Sequence, residues 1–114
     1  MSPELSYKSQ NPKPPIIFLH GWGMNKNIWQ LVQRELEQES PHPIHCLDLP
    51  GYGDNRQQLK DYNLESLAGW LAGQIQQPSI VFGWSLGGLV AQQLALNYPE
   101  KVNKLALIGS TCKF

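Results

Sequence analysis

A serine between two glycines is the residue best placed to act as a nucleophile in this chain. Ser85 lies in the sequence Gly83-Trp84-Ser85-Leu86-Gly87, after a short apolar run and before a segment of helical character. A strand that turns into a helix within so few residues holds the serine in a strained conformation, with its hydroxyl exposed at the tip. Side chains at the two glycines would collide with neighbouring backbone. The pattern predicts a nucleophile elbow; the alternative is a glycine-rich connection that merely tolerates a serine.

Two further segments combine polar and glycine residues at the end of a predicted strand. His20-Gly21-Trp22-Gly23 follows the apolar run at 16–19, and Asp48–Gly53 begins where the predicted strand Ile44–Asp48 ends. A continuous apolar run such as 16–19 is typical of a strand buried on both faces of a parallel sheet. Ligands of such sheets bind at the carboxyl ends of the strands. We therefore expect these two segments and the Ser85 turn to lie on one rim.

The elements that position this rim alternate between strand and helix. With connections short enough for right-handed crossovers, this alternation predicts an α/β fold with a parallel sheet flanked by helices. The apolar residues expected to share a helix face are Ile28, Val32 and Leu36 in one helix, and Leu64, Leu67, Leu71 and Ile75 in the next. The predicted elements are a short edge strand Leu5–Lys8, strands Ile16–Leu19, Ile44–Asp48, Ser79–Gly83 and Val102–Gly109, a loop from Asp54 to Tyr62, and helices from Asn25 or Asn27 to about Gln38, from Asn63 to before Pro78, and from Leu89 to Tyr98.

Composition limits the class of protein. The 114 residues predict a single domain, and an apolar fraction of 41% favours a globular core. A formal net charge of zero gives no basic surface for nucleic acid or an anionic membrane. No signal peptide or membrane-spanning run is recognised, so we expect a cytoplasmic protein. Cys46 and Cys112 lack metal-ligand spacing and are interpreted as reduced, buried thiols.

The sequences at the three strand ends resemble the α/β-hydrolase superfamily. They read His-Gly-Trp-Gly, Asp-Leu-Pro-Gly-Tyr-Gly and Gly-Trp-Ser-Leu-Gly-Gly, and the similarity extends from about Ile16 to the end of the chain. Trp22 and Trp84 narrow the resemblance to the carboxylesterases of biotin synthesis, which act on pimeloyl-[acyl-carrier-protein] methyl ester. The resemblance implies an ester substrate, carried on acyl carrier protein, and no cofactor or metal.

The same resemblance assigns roles to residues at the rim. Ser85 matches the nucleophile, and the backbone N–H groups of Trp22 and Leu86 match the two donors of an oxyanion hole. Trp22, Trp84, Ser85 and Leu86 would contact the substrate, although Trp84 could equally pack beside the elbow. The residues expected to shape the two loops are His20, Gly21, Gly23, Gly83 and Gly87.

The three histidines and Asp48 are interpreted as structural residues. His20 could serve as a general base, but its place in the oxyanion loop favours a structural role, and His42 and His45 are expected to be structural or surface residues. Asp48 is expected to hold the following loop. Asn55 stands where the common family pattern has serine, which leaves the bonding of that loop open.

The chain departs from the family pattern because the residues that would complete the catalytic triad are absent from it. In this fold the serine is followed by the triad acid and then by the triad histidine. After Ser85 the sequence offers Glu100 and no histidine. The resemblance therefore implies that residues 1–114 form a single partial domain, truncated before the lid and the last strands. We expect it to be inactive alone, to expose an apolar edge at Leu105–Gly109, and to have helix faces that lack partners.

Two classes of function are compatible with the sequence. One is a serine carboxylesterase whose remaining residues come from a complementary C-terminal chain or lie outside this sequence. The other is a non-catalytic gene fragment or binding remnant that keeps the rim without turnover. A different hydrolase of the superfamily, such as a lipase-like or C–C bond hydrolase, stays open because the lid largely sets substrate choice.

Overall fold

A four-stranded parallel sheet forms the centre of the molecule. The computed structural model describes residues 13–109, so the predicted edge strand Leu5–Lys8 and Cys112 lie outside the described residues. The strands follow the spatial order β2-β1-β3-β4, and every pair is parallel. The prediction of a parallel α/β sheet is confirmed. The strands are β1 (Ile16–Leu19), β2 (Ile44–Leu47), β3 (Ser79–Trp84) and β4 (Val102–Ile108).

Three helices and two 3-10 turns connect the strands. Asparagines cap two of these elements, as predicted: the Asn25 side-chain oxygen accepts from the Asn27 N–H at 2.9 Å, and that of Asn63 accepts from the Ser66 N–H at 2.8 Å. The segment after Asn25 differs from the single predicted helix, because it begins as a 3-10 turn. The helices are α1 (Gln30–Glu39), α2 (Leu64–Gln74) and α3 (Leu86–Asn97), and the 3-10 turns are Lys26–Trp29 and Pro99–Lys101.

The third helix begins earlier than the sequence predicts. Its first residue is Leu86 instead of Leu89. Gly87 and Gly88 are poor helix formers, which hides the helix start from a propensity argument. The close approach of this turn to the rest of the sheet, described below, explains why glycines stand there.

The two faces of the sheet are covered unequally. Helices α2 and α3 cover one face and form the main core with β1 and β3. Its buried residues include Leu67 and Leu94 from the helices and Leu19 and Val81 from the strands. On the other face, a smaller cluster of Ile16, Phe18 and Trp29 packs with partly buried side chains. Helix α1 buries no residue, and Ile28 and Val32 remain 37% and 40% exposed. Leu36, the third residue of the predicted apolar face, does pack against the smaller cluster, so this face is covered only in part.

Strand β4 is the outermost described strand on its side of the sheet. It pairs only with β3 among residues 13–109, and its Leu105 and Ile108 side chains are 38% and 43% exposed. This observation confirms the apolar edge that the sequence predicts.

Candidate active site

Ser85 occupies the sharp turn between β3 and α3. Its backbone angles are φ 53° and ψ −115°, and it is the one non-glycine residue between 13 and 109 with a positive φ. Such a conformation costs on the order of 1–3 kcal/mol and persists only where the surroundings enforce it. One anchor is the Ser85 N–H, which donates to the Ile108 carbonyl at 3.1 Å. The residue is exposed, so the turn presents its side chain to solvent.

Close backbone contacts require the two glycines that flank the elbow. A Cβ atom at Gly83 would meet the Gly87 carbonyl and lie 2.6 Å from the Gly88 Cα. A Cβ atom at Gly87 would lie 2.6 Å from the carbonyl oxygens of both Leu19 and His20. These neighbours are main-chain atoms, which cannot rotate away. The first turn of α3 is therefore pressed against the carboxyl end of β1.

The two backbone donors proposed for an oxyanion hole lie on adjoining segments, one at a helix start and one in a loop. Leu86 is the first residue of α3, so its N–H has no intrahelical acceptor. Trp22 lies in a tight turn closed by the Met24 N–H, which donates to the Gly21 carbonyl at 3.2 Å, and Gly23 has a φ of 74°. A Cβ atom at Gly21 would lie 3.2 Å from the Ser85 Cβ. The Trp22 loop thus approaches the elbow so closely that a side chain at position 21 would be crowded.

His20 joins three segments of the rim and is completely buried. Its Nδ1–H donates to the Gly21 carbonyl at 2.9 Å, and its Nε2 accepts from the Leu49 N–H at 3.0 Å. Its own carbonyl accepts from the Gly87 N–H at 3.1 Å. Because both ring nitrogens are engaged with backbone, this geometry suits a residue that positions loops and not one that removes a proton from Ser85.

The Asp48 carboxylate holds the loop that follows β2. One oxygen accepts from the Lys26 N–H at 2.7 Å and the other from the Asp54 N–H at 3.0 Å. The Asn55 side chain donates to the Asp48 carbonyl at 2.9 Å and accepts from the Gln57 N–H at 3.0 Å. Asn55 therefore supplies the bonding of this loop that the sequence left open.

The other two histidines lie away from Ser85. The His42 Nδ1–H donates to the Pro14 carbonyl at 2.7 Å, on the amino-terminal side of β1. His45 is exposed on β2 and pairs with Ile17 in the sheet. Neither ring is placed at the carboxyl rim where the elbow stands.

Trp84 packs under the elbow. Its ring meets that of Trp29 edge to face, with centroids 6.4 Å apart, and a Cβ atom at Gly109 would lie 3.0 Å from its Nε1. The structure thus places Trp84 in the smaller cluster on the α1 side of the sheet. Trp22 instead is 69% exposed at the rim and contacts Tyr52 edge to face.

An apolar groove of about 320 Å³ adjoins the two candidate backbone donors. The sequence pattern predicts Leu64 and Leu67 only as core residues, so most of the lining of this groove is not predicted from sequence. The available signal was their position in the first turn of a helix that begins at the rim. The lining residues are Trp22, Tyr62, Asn63, Leu64, Leu67, Leu86 and Leu89.

A second cavity, of about 340 Å³, lies toward the amino ends of the strands. Pro15, His45, Gln77 and Ser79 are among its lining residues. It contains no strained residue and no cluster of unpaired backbone donors at a helix start. The chemistry therefore favours the groove beside Ser85, although the two volumes are similar.

Residues 13–109 contain no cluster of three or more His, Cys, Asp or Glu side chains that could hold a metal ion. None of the described helices combines the length and apolar character needed to cross a bilayer. Cys46 is a free, half-buried thiol. Burial, together with the negative charge of Glu37, raises the pKa of Cys46 to about 11, which makes it a weak nucleophile.

A parallel sheet with a strained serine at a strand-to-helix turn defines the hydrolase class of α/β proteins. A sequence model described as the alpha/beta hydrolase fold matches residues 14–114. The chain belongs to the α/β-hydrolase family.

Two curated relatives of the chain carry the same name. The chain is 41% identical over 115 residues to the pimeloyl-[acyl-carrier protein] methyl ester esterase of Pseudoalteromonas atlantica, with all of this chain and 44% of the relative covered. It is 43% identical to the enzyme of the same name from Vibrio vulnificus, again covering 44% of that protein. The chain therefore spans less than half the length of these relatives.

Solved structures agree on the fold. A thermophilic esterase from Thermogutta terrifontis superposes with a TM-score of 0.79 at 25% identity, covering 87% of this chain and 38% of the esterase. An esterase from Mycobacterium tuberculosis is 34% identical with a TM-score of 0.69, covering 85% of this chain and 34% of that protein.

Proposed function

We propose that this chain carries the nucleophile and the oxyanion donors of a serine carboxylesterase that hydrolyses pimeloyl-[acyl-carrier-protein] methyl ester. The observation that carries the proposal is the exposed, positive-φ Ser85, which the loop containing Gly21 and Trp22 approaches closely. The names of the curated relatives support the substrate. The free thiol of Cys46 is compatible with a reducing, cytoplasmic location.

In the proposed reaction, the Ser85 hydroxyl oxygen attacks the ester carbonyl carbon and loses its proton to a general base. The carbonyl oxygen becomes an oxyanion, which accepts hydrogen bonds from the Trp22 and Leu86 N–H groups. Each such donor typically lowers the barrier by about 3 kcal/mol. When the bond from the carbonyl carbon to the methoxy oxygen breaks, the protonated base gives its proton to that oxygen, so methanol leaves. Water then hydrolyses the acyl-serine ester, which releases the free acid and restores the Ser85 hydroxyl.

The general base does not come from the histidines of this chain. His20 has both ring nitrogens bonded to backbone groups, and His42 and His45 lie toward the amino ends of the strands. We therefore propose that a complementary C-terminal polypeptide supplies the histidine and its carboxylate partner. Its docking would also cover the exposed edge of β4.

The test mixes this chain with the part of the Pseudoalteromonas atlantica relative that it does not match. We expect no turnover of pimeloyl-[acyl-carrier-protein] methyl ester by the 114-residue chain alone. We expect turnover by the mixture, and none when Ser85→Ala replaces the wild-type chain. A stable complex of the two polypeptides that hydrolyses no ester, or hydrolyses it equally with the alanine variant, would contradict the proposal.

A further inference from the structure

The outer edge of β4 carries backbone groups whose direction is fixed by the pairing with β3. The Ile108 carbonyl points toward β3, because it accepts from the Ser85 N–H at 3.1 Å. Backbone N–H and C=O groups point to alternate sides along a strand, so those of Leu105 and Leu107 point away from β3. No strand within residues 13–109 lies on that side of β4. Such an edge is a template for pairing with a further strand.

The regular part of β4 is short and has a defined centre. A register shift near the start of the strand leaves Asn103 outside the regular pairing with β3. The pairing is regular over 104–108, and Gly109, with a φ of 61°, follows the end of the strand. Ala106 lies at the centre of this stretch. A two-fold axis through Ala106 would therefore use all of the regular strand and none of its irregular start.

Antiparallel pairing of two β4 strands about Ala106 satisfies the outward backbone groups. Each Leu105 then lies opposite Leu107 of the second copy, and the two residues of each such pair exchange both of their N–H···O=C bonds. Ala106 faces its own counterpart at a position without these bonds, where opposite side chains are closest. Its methyl group is small enough for that approach. The interface is the same patch on both copies, so it closes at two copies.

The side chains of β4 are compatible with this register on both faces of the sheet. Leu107 packs against the main core, and the alternation of side chains places Leu105, 38% exposed, on the same face. The leucines of the two copies would meet there and lose exposed apolar area. On the other face, Lys104 would lie opposite Ile108 of the second copy. The two lysines are then on opposite sides of the Ala106 pair, so no like charges lie directly opposite each other.

We propose that two copies of this chain associate through β4, in antiparallel register about Ala106, into a continuous sheet that joins the four strands of each copy. The proposal depends on the edge of β4 and not on the reaction of Ser85. One strand edge accepts one partner strand, so this dimer and the complex with the complementary polypeptide exclude each other. Self-association therefore holds the chain in a closed form that lacks the general base.

Sedimentation equilibrium of the chain alone tests the dimer. For a small interface we expect a dissociation constant on the order of 50 µM. Leu105→Lys removes a leucine and adds a charge on each side of the axis, so dimerisation should weaken about 30-fold. Leu96→Lys is the matched control, because it places the same charge on a leucine of α3 that is 70% exposed. The control should dimerise within about twofold of wild type, and circular dichroism checks that both variants fold.

Amide exchange with water, measured by NMR on the wild-type chain, tests the register. The N–H groups of Leu105 and Leu107 should exchange about fourfold more slowly at about 500 µM protein than at about 10 µM, in proportion to the remaining monomer. The N–H of Ala106 points toward β3 and should be protected equally at both concentrations. A dimer formed elsewhere on the molecule would not produce this alternation. The measurement also decides the matter if Leu105→Lys does not fold.

Three results would overturn the proposal. The first is a wild-type chain that stays monomeric or forms oligomers larger than dimers. The second is a dimer in which exchange of the Leu105 and Leu107 amides does not depend on protein concentration. The third is a folded Leu105→Lys variant that dimerises as tightly as Leu96→Lys. Each result is separate from the esterase test, because these measurements use this chain alone and no ester.

Discussion

Replacing Gly87 by alanine tests the packing that forces the elbow. The new Cβ atom would lie 2.6 Å from the carbonyl oxygens of Leu19 and His20 and 2.8 Å from the Leu19 carbonyl carbon. All three neighbours are backbone atoms of the β1 end, so either the sheet or the helix must move by several tenths of an ångström. That movement also strains the hydrogen bond from the Gly87 N–H to the His20 carbonyl.

The expected change in the free energy of unfolding is the sum of two destabilising effects and one stabilising effect. Overpacking of this kind costs about 1–3 kcal/mol, and weakening one backbone hydrogen bond costs about 1 kcal/mol. Alanine recovers about 1 kcal/mol of helix propensity relative to glycine. We therefore expect Gly87→Ala to lower the free energy of unfolding by about 1–3 kcal/mol.

Gly73→Ala is the matched control for this measurement. Gly73 lies in α2, and a Cβ atom there would have no neighbour within 4 Å. Only the propensity gain remains, so we expect this variant to be more stable than wild type by up to about 1 kcal/mol. Urea unfolding followed by far-ultraviolet circular dichroism compares the three proteins. A Gly87→Ala variant as stable as Gly73→Ala would refute the claim that backbone contact requires glycine at the elbow.

Three further predictions concern the loop after β2 and the thiol beside it. Asp48→Asn should lower the free energy of unfolding by about 2 kcal/mol, because only one of the two end atoms of an amide is an oxygen that can accept a backbone N–H. The exposed Asp61→Asn should change the free energy of unfolding little. Equal urea midpoints for the two variants would contradict this prediction. Asn55→Ala should cost about 1–2 kcal/mol through its two lost loop hydrogen bonds, again measured by urea unfolding, and an unchanged midpoint would show that the loop does not need them. In a Cys112→Ser background, Cys46 should react with iodoacetamide at pH 8 about 100-fold more slowly than an ordinary thiol. Since the pKa of Cys46 is raised to about 11, its rate should rise with pH up to that value, and a plateau near pH 9 would disagree.

Sequence reasoning was most successful where one physical cause dominated. The run Ile16–Leu19 is apolar throughout because β1 is covered on both faces, and the strand has the predicted bounds. Asn63 caps α2 through its own side chain, a local interaction that the sequence contains in full. The convergence of the three marked segments on one rim also followed from parallel topology alone.

The remaining features depend on partners that a pattern does not identify. The periodicity of Ile28 and Val32 predicts an apolar face but cannot say what covers it, and the structure leaves both residues substantially exposed. The two bonds that occupy the His20 ring connect it with Gly21 and Leu49, and only the folded geometry reveals the second. Tyr62 lies in a polar loop, so its part in an apolar groove could not be foreseen.

The parallel sheet also has a consequence for how quickly this chain folds. No two neighbouring strands are joined by a hairpin: Ile16 pairs with Ile44 on one side and with Ile80 on the other. Closing such long loops costs chain entropy before the sheet contacts compensate for it, which makes domains of this topology slow to fold. Until β1 enters between β2 and β3, three apolar strands remain open to pairing with other molecules. Refolding yield should therefore fall as protein concentration rises, even under conditions where the native state is stable.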